Sequence, residues 1–302
     1  MCILAIQYKK TENAPILLAA NREEYYERPS YPPRIQSGKP RVICGIDRKS
    51  GGTWFGVNQH GLVVTVVNRP LRFTPDEPRS RGLLCRDLLG TASAEQAVEC
   101  ALRELKTGCY PGALFLCADS KSAAVVHREK EIFAEQLSPG LHVLTKEGLN
   151  ARHDQRQEFV RRQLTLQKLN SAVTFLAVAS RAFSRPCDGE GRHGTVIHEG
   201  EFGTVSSILL SLTGRVQNSI LQYAPGSPAD INYDDYSALM RQVLSTGKEK
   251  ARKKQRRLED DYIDDDLLDE LAPDDEDDEP VAFVPEESDA DDDLDGEFPL
   301  ER

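Results

Sequence analysis

Charge is the feature that most limits which part of this chain can fold. Residues 259–302 contain 23 acidic side chains and one basic side chain, so this segment has a formal charge of −22. A segment with so few apolar residues buries too little surface to offset the conformational entropy lost on ordering. We therefore expect 259–302 to be a disordered acidic tail.

The charge changes sign before the tail. Residues 248–257 (KEKARKKQRR) contain seven basic residues and one acidic residue, with no aromatic side chain among them. Because the acidic block follows directly, a solvated linker over 248–258 is favoured over a nucleic-acid-binding patch. Residues 1–247 carry a charge of +5 and are enough for one core, so we expect the folded domain there. The tail either keeps the protein soluble or binds a basic protein partner.

Simpler patterns argue against several classes of protein. No apolar run approaches the roughly 18 residues of a transmembrane helix. The N-terminal segment MCILAIQYKK lacks the basic start and the cleavage site of a signal peptide. The seven cysteines are scattered without a CxxC pair, which argues against a disulfide framework and a zinc site. We expect a cytoplasmic protein with no metal, no cofactor and no membrane span.

Most of the first two thirds has the alternation and turn signals of strands. Apolar runs at 3–6 and 15–20 predict an N-terminal hairpin, and TWFGVN and GLVVTVVN at 53–68 predict a second one. Three more strand-like runs cover 113–137, and another covers 142–145. The segment ANREEYYERPSYPP at 20–33 has three prolines and five charges, which predicts a loop.

Helical periodicity appears between the strands. Residues 93–106 place apolar side chains on one stripe, with Ser93 as N-cap and Gln96 three residues later. Residues 153–182 predict one or two helices, and 233–244 predict a closing helix. The run 186–200 is glycine-rich and predicts a loop with one short strand, before a β-pair over 201–223. This order predicts an α+β fold with mainly antiparallel strands.

Cys2 is the residue with the clearest chemical potential. Methionine aminopeptidases remove Met1 when the second side chain is small, which would give Cys2 a free α-amine. An α-amine titrates near pKa 7.7–8.0, so it can accept the thiol proton near neutral pH. This arrangement needs no separate histidine or aspartate. The alternative is that position 2 simply tolerates a small residue.

Several segments together resemble a known family. MCILAI at 1–6, NREEYYERPS at 21–30, GGTWFGVNQHGLVVTVVNRP at 51–70, SRGLLCRDLL at 80–89 and EFGTVSS at 201–207 resemble the family named for an Asn-Arg-Asp-Glu motif, which includes the transport-and-Golgi-organisation protein 2 group. The resemblance covers roughly residues 1–240 and no part of the tail. This family is similar to the cysteine N-terminal nucleophile hydrolases, such as bile salt hydrolases and penicillin V acylase.

The resemblance implies a fold and a nucleophile. The implied fold is a four-layer αββα sandwich, like that of the N-terminal nucleophile hydrolases, with Cys2 at the start of the first strand. In these hydrolases an asparagine at the end of the strand after a GxNxxGL turn helps to stabilise the oxyanion, and here that position is Asn68. Asn68 as a strand-end turn residue is the alternative. We expect the α-amine and the oxyanion donors to favour the Cys2 thiolate.

The Asn-Arg-Asp-Glu motif implies further site residues. Here the motif is Asn-Arg-Glu-Glu at 21–24, so Glu23 takes the place of the carboxylate that holds the amine and the thiol in the hydrolases. Arg22 would pair with a neighbouring glutamate or bind a substrate carboxylate. Asn21 and Trp54 are expected to contact substrate as well, with a core position as the alternative for Trp54.

The sequence differs from the hydrolases at two positions, so their substrates cannot be transferred to this chain. Lys146 follows Thr145 where the hydrolases carry an asparagine, and no arginine follows Ser206 and Ser207 through residue 212. The sequence therefore predicts a cysteine amidohydrolase or acyltransferase that acts on a small molecule through a non-peptide C–N or thioester bond. The alternative is a non-catalytic protein of the same fold that binds or moves a small molecule, since the resemblance also implies links to haem movement and lipid homeostasis.

Overall fold

The computed structural model describes residues 2–71, 76–107, 109–188 and 193–247. The predicted basic linker at 248–258 and the predicted disordered tail at 259–302 lie outside the described residues, so both stay predictions. No helix within the described ranges is long and apolar enough to cross a membrane.

Two antiparallel sheets form the centre of the domain. The strands that the structure describes are β1 (Ile3–Thr11), β2 (Ala14–Tyr25), β3 (Ser30–Gln36), β4 (Val42–Asp47), β5 (Phe55–Asn58), β6 (Val63–Asn68), β7 (Ala113–Ala118), β8 (Ala123–Arg128), β9 (Ile132–Gln136), β10 (Gly140–Thr145), β11 (Gly148–Leu149), β12 (His198–Glu199), β13 (Phe202–Leu212), β14 (Ile220–Ala224) and β15 (Asp234–Asp235). The first sheet has the order β11-β10-β1-β2-β13-β14-β15, with β12 paired to β13. The second sheet runs from β3 to β9 in chain order.

The described α-helices are α1 (Arg81–Leu88), α2 (Ala94–Leu105), α3 (Gln155–Thr165), α4 (Ala172–Phe183) and a fifth helix, α5, over 237–247. Of these, α1 to α4 cover the outer faces of the sheets, whereas α5 packs Met240, Val243 and Leu244 into the cluster between the sheets. One buried cluster lies between the two sheets, a second joins α1 and α2 to the second sheet, and a third joins α3 and α4 to the first sheet. The predicted four-layer αββα sandwich is confirmed.

Alternation along the strands explains why the sheets have two buried faces. In β1, Leu4 and Ile6 belong to the cluster between the sheets, whereas Ile3 and Ala5 belong to the cluster under α3 and α4. Successive strand side chains point to opposite faces, so a strand covered on both sides is apolar at every position. The apolar run at the N-terminus therefore fixes β1 as a central strand, with β10 and β2 as its neighbours.

The predicted helix over 93–106 is confirmed in its details. α2 begins after Ser93, whose hydroxyl accepts the Gln96 amide at 3.2 Å. The Gln96 side chain accepts the Ala92 amide at 3.1 Å. Ala97, Val98, Ala101 and Leu105 are buried against the second sheet, as the stripe predicted, whereas Leu102 is only partly buried.

The loop predicted over 20–33 is wrong for most of its length. β2 continues to Tyr25, because β13 pairs with it through Arg22–Ser206, Glu23–Thr204 and Tyr25–Phe202. Pro32 and Pro33 lie in β3, which is an edge strand of the second sheet, where a missing amide donor is tolerated, and Pro29 precedes this strand. Charge and proline content indicated a loop only because the pairing partner lies about 180 residues further along the chain.

Candidate active site

A cavity of about 240 Å³ lies beside the start of β1. Five of the six predicted site residues line it: Cys2, Arg22, Glu23, Trp54 and Asn68. The two sheets supply different members of this set. Antiparallel pairing places Asn21 opposite Ile3, so the next residues of β2 lie beside Cys2, whereas Asn68 ends β6 in the second sheet.

The surroundings of Cys2 favour a neutral thiol. The residue is partly exposed, but burial of the thiol raises its pKa, and the charge of the N-terminal amino group, the backbone amide of Glu23 and the charge of Arg22 oppose that rise only in part. The predicted preference for the thiolate concerns a Cys2 with a free α-amine, so it stays a prediction. A neutral thiol requires a base, because the thiolate is the attacking form.

Glu23 lies in a buried ion pair. Its side chain is 0% exposed, and Arg156 at the start of α3 donates to both of its carboxylate oxygens. Arg156 also donates to the carbonyl of Thr195 at 2.9 Å. Burial raises the pKa of Glu23, and Arg156 opposes the rise. The pair holds the carboxylate of Glu23 at a fixed place in the cavity wall.

Arg22 is buried between aromatic and acidic groups. Its guanidinium lies 4.2 Å from the ring centroid of Trp54, and its Nη2 lies 4.0 Å from Glu24 Oε2. Burial lowers the pKa of Arg22, and nearby Cys2 and Glu24 oppose this effect. The charge of Arg22 is thus partly balanced inside the protein, which fits the sequence-based option of a pair with a neighbouring glutamate.

Asn68 and Trp54 each present a polar group without a partner in the described part of the chain. No described residue forms a hydrogen bond with the side-chain amide of Asn68, which is partly exposed at the cavity. The indole Nε1 of Trp54 is buried and has no acceptor. The amide of Asn68 can therefore hydrogen-bond a bound molecule without losing an existing bond.

Asn21 does not line this cavity. Its side-chain nitrogen donates to the carbonyl oxygens of Phe183 and Thr195 at 2.9 and 3.1 Å. Because Thr195 also accepts from Arg156, Asn21 supports the end of α4 and the loop that holds the Glu23–Arg156 pair. The geometry gives Asn21 a supporting position rather than direct contact with a ligand in this space.

Three arginines in the cavity wall were not predicted. Arg28, Arg79 and Arg81 line the space together with Arg22. Arg79 lies just before α1, and Arg81 is the first residue of this helix. In this segment the sequence analysis identified only a family-like motif. A short helix beginning with arginines would have been the available signal, but nothing in the sequence placed it against Cys2. Among the described residues there is no group of three or more side chains suited to hold a metal ion.

Comparisons with known proteins identify the family. The family model described as Transport and Golgi organisation 2 matches residues 1–182. The human Transport and Golgi organization protein 2 homolog is 32% identical over 98 residues, which are 30% of this chain and 36% of that protein. The mouse Transport and Golgi organization 2 homolog is 31% identical over 96 residues, which are 30% of this chain and 35% of that protein. The match thus spans about a third of the length of these curated relatives.

Solved structures with a similar arrangement include two hydrolases. The Caenorhabditis elegans ortholog of N-acylethanolamine-hydrolyzing acid amidase has a TM-score of 0.46 at 14% identity, with coverage of 69% of this chain and 92% of that chain. A mutant conjugated bile acid hydrolase from Clostridium perfringens has a TM-score of 0.46 at 12% identity, with coverage of 79% and 93%. At such a low sequence identity and TM-score, the structural similarity does not indicate a shared activity. Because the family model covers more than half of the 302 residues, the chain belongs to the Transport and Golgi organisation 2 family.

Proposed function

We propose that this protein is a cysteine N-terminal nucleophile enzyme, an amidohydrolase or acyltransferase that acts on a non-peptide C–N or thioester bond of a small molecule. The observation that supports this most is the shared cavity of Cys2, Glu23 and Asn68, which brings residues from both sheets to one space. A nucleophile, a carboxylate and an amide donor are the groups that acyl transfer needs.

The proposed reaction begins with removal of Met1. The freed α-amine of Cys2 takes the thiol proton while Sγ forms a bond to the acyl carbon of the substrate. The tetrahedral intermediate then collapses, the C–N or C–S bond breaks, and the amine returns the proton to the leaving group. Water or a second acceptor releases the acyl group from Sγ.

Asn68 and Glu23 have different roles in this scheme. The amide nitrogen of Asn68 donates to the developing oxyanion, for which it has no competing acceptor in the described residues. Glu23 orients the amine, and its backbone amide holds Sγ. Arg156 is a positioning residue, since it acts through Glu23.

A second candidate is a non-catalytic protein that binds or moves a small molecule such as haem or a lipid. The raised pKa of Cys2 favours it, because a protonated thiol without a base is inert. The four arginines in the cavity wall suit the anionic group of such a ligand. Family membership is compatible with both candidates.

Covalent acylation separates the two candidates. The neutral thioester N,S-diacetylcysteamine would be incubated with wild type, Cys2→Ala and Cys109→Ala, and the intact mass followed over time. Cys109 is the matched control because it is an exposed cysteine outside the cavity. We expect wild type and Cys109→Ala to gain one acetyl group at the same rate and Cys2→Ala to gain none.

The opposite pattern would favour the binding candidate. If Cys2→Ala is acetylated as fast as wild type, or if no cysteine of the folded protein reacts, Cys2 is not a nucleophile.

A further inference from the structure

Arg81 differs from the other arginines of the cavity wall. Arg22, Arg28 and Arg79 each form an ion pair, with Glu24 at 4.0 Å, Asp47 at 2.6 Å and Asp87 at 2.5 Å respectively. Arg81 forms no ion pair with any described residue, and the contact that the structure gives its guanidinium is the carbonyl oxygen of Gly112 at 2.9 Å. It is therefore the lining cation whose charge is least balanced by the protein.

Close backbone packing sets the position of Arg81. It is the first residue of α1, and the helix start lies directly on the loop before β5, where the Thr53 amide donates to the Gly82 carbonyl at 2.9 Å. A Cβ on Gly52 would lie 2.2 Å from the carbonyl carbon of Gly82, so only glycine permits this approach. The contact holds the start of α1 against the cavity.

Arg81 and Asn68, the predicted oxyanion donor, are held by the same short segment, Gly112 and Ala113. The Gly112 carbonyl that accepts from Arg81 also accepts the amide of Arg69 at 3.0 Å, and the next residue, Ala113, pairs with Asn68. The partly buried cation and the end of β6 thus share one wall of the cavity. Burial lowers the pKa of Arg81, and an ionised Cys2 and the carboxylate of Glu24 oppose this effect.

We infer that Arg81 is the specificity residue of this cavity and that it binds a carboxylate on the substrate, next to the acyl bond that Cys2 attacks. The inference rests on the proposed function for the reacting bond and adds the class of substrate, a small acyl compound with a carboxylate. A partly desolvated guanidinium gains a bidentate, charge-assisted contact from such a group. A volume of about 240 Å³ admits a compact molecule or the head of a longer one.

Paired thioesters test the inference. S-acetylthioglycolate carries a carboxylate, and its methyl ester is neutral with the same reacting bond. In both, Cys2 Sγ gains the acetyl group and the leaving thiol takes the proton that Sγ loses. We expect wild type to react at least about tenfold faster with the carboxylate at limiting concentration, since a hydrogen-bonded charged pair commonly contributes a factor of that size.

Variants assign the preference to one residue. Arg81→Gln should lower the rate ratio of the two probes to the ratio that they show with free cysteine, since their leaving thiols differ in acidity. Arg81→Lys, which keeps the charge without the planar fork, should retain a preference of a few fold and serves if Arg81→Gln does not fold. Arg86→Gln is the matched control, an exposed arginine of the same helix outside the cavity lining, and should keep the wild-type ratio. Equal rates in wild type, or a full preference in the Arg81 variants, would overturn the inference.

A binding measurement separates this inference from the proposed function. Calorimetry with S-acetylthioglycolate would use Cys2→Ala and the double variant Cys2→Ala/Arg81→Gln, in which the thiol cannot react. Binding that depends on Arg81, without acylation of wild type, would support the anion site and refute the enzyme. Acylation with no preference for the carboxylate would support the enzyme and refute the anion site.

Discussion

Replacing Arg156 by methionine should destabilise the domain strongly and in a pH-dependent way. The substitution removes the guanidinium from a Glu23 side chain that is 0% exposed, while the Arg156 side chain itself is 15% exposed. Removing one partner of a buried ion pair typically costs about 3–5 kcal/mol, because the other charge stays in a medium that solvates it poorly. We expect a loss of that size in the free energy of unfolding at pH 8.

The direction of the pH effect follows from the pKa of Glu23. Burial already raises this pKa above its ordinary value, and loss of Arg156 raises it further. A carboxyl whose pKa is higher in the folded state than in the unfolded state destabilises the fold at high pH, and the loss is relieved as protonation proceeds. The deficit of Arg156→Met, meaning its free energy of unfolding relative to that of wild type, should therefore shrink as the pH falls below the raised pKa of Glu23 in the variant. The change should be up to about 1.4 kcal/mol per pH unit.

Urea unfolding at pH 8 and at pH 5.5 measures this deficit. Arg162→Met is the matched control, since Arg162 is an exposed residue of the same helix, and it should change stability by less than about 0.5 kcal/mol. The double variant Glu23→Gln/Arg156→Met removes both charges and should be more stable than Arg156→Met alone. A loss below about 1 kcal/mol at pH 8, or a deficit equal at both pH values, would refute the buried-pair reasoning.

Three further outcomes are expected. Asn68→Ala should slow acylation on the order of 10²-fold with almost unchanged thermal stability, as expected for one lost oxyanion donor; unfolding of the variant would make Asn68 a turn residue instead. The acylation rate of Cys2 should rise with pH through about 7.7–8.0 as its α-amine loses its proton, and a rate that is flat from pH 6.5 to 9 would contradict an amine base. Deletion of 259–302 should leave the melting temperature of the domain and the acylation rate at physiological salt unchanged, whereas loss of either would place an essential element in the tail.

The sequence predicted an α+β fold with mainly antiparallel strands because its periodic signals are local, whereas the four-layer arrangement followed from the family resemblance. Continuous apolar runs identify strands that are buried on both faces, and the Ser93 cap with its stripe identifies α2 without knowledge of the partner. The family-like motifs located Cys2, Glu23 and Asn68, which the structure brings to one cavity. Five of the six predicted residues line this cavity, and their assignment followed from the family-like motifs.

The remaining features depend on contacts that are distant in sequence. The continuation of β2 through the acidic motif depends on β13, and the partner of Glu23 lies on α3, 133 residues further along the chain. Arg81 and Cys2 line one cavity, and the start of α1 reaches it through a close backbone contact that glycine at position 52 permits. The pKa of the Cys2 thiol depends on its burial, which no local sequence pattern shows.

The central claim is that Cys2 acts as an N-terminal nucleophile, and a cleavable tag tests it most directly. The protein would carry a tag whose protease leaves Cys2 as the first residue, and acetylation by N,S-diacetylcysteamine would be followed by intact mass before and after cleavage. The cleaved protein unfolded in urea supplies the intrinsic rate of an N-terminal cysteine. We predict no acetylation before cleavage and, after cleavage, a rate at least about 10²-fold above that of the unfolded protein, because the fold supplies the oxyanion donor. Equal acetylation before and after cleavage, or a folded rate no higher than the unfolded rate, would contradict the claim.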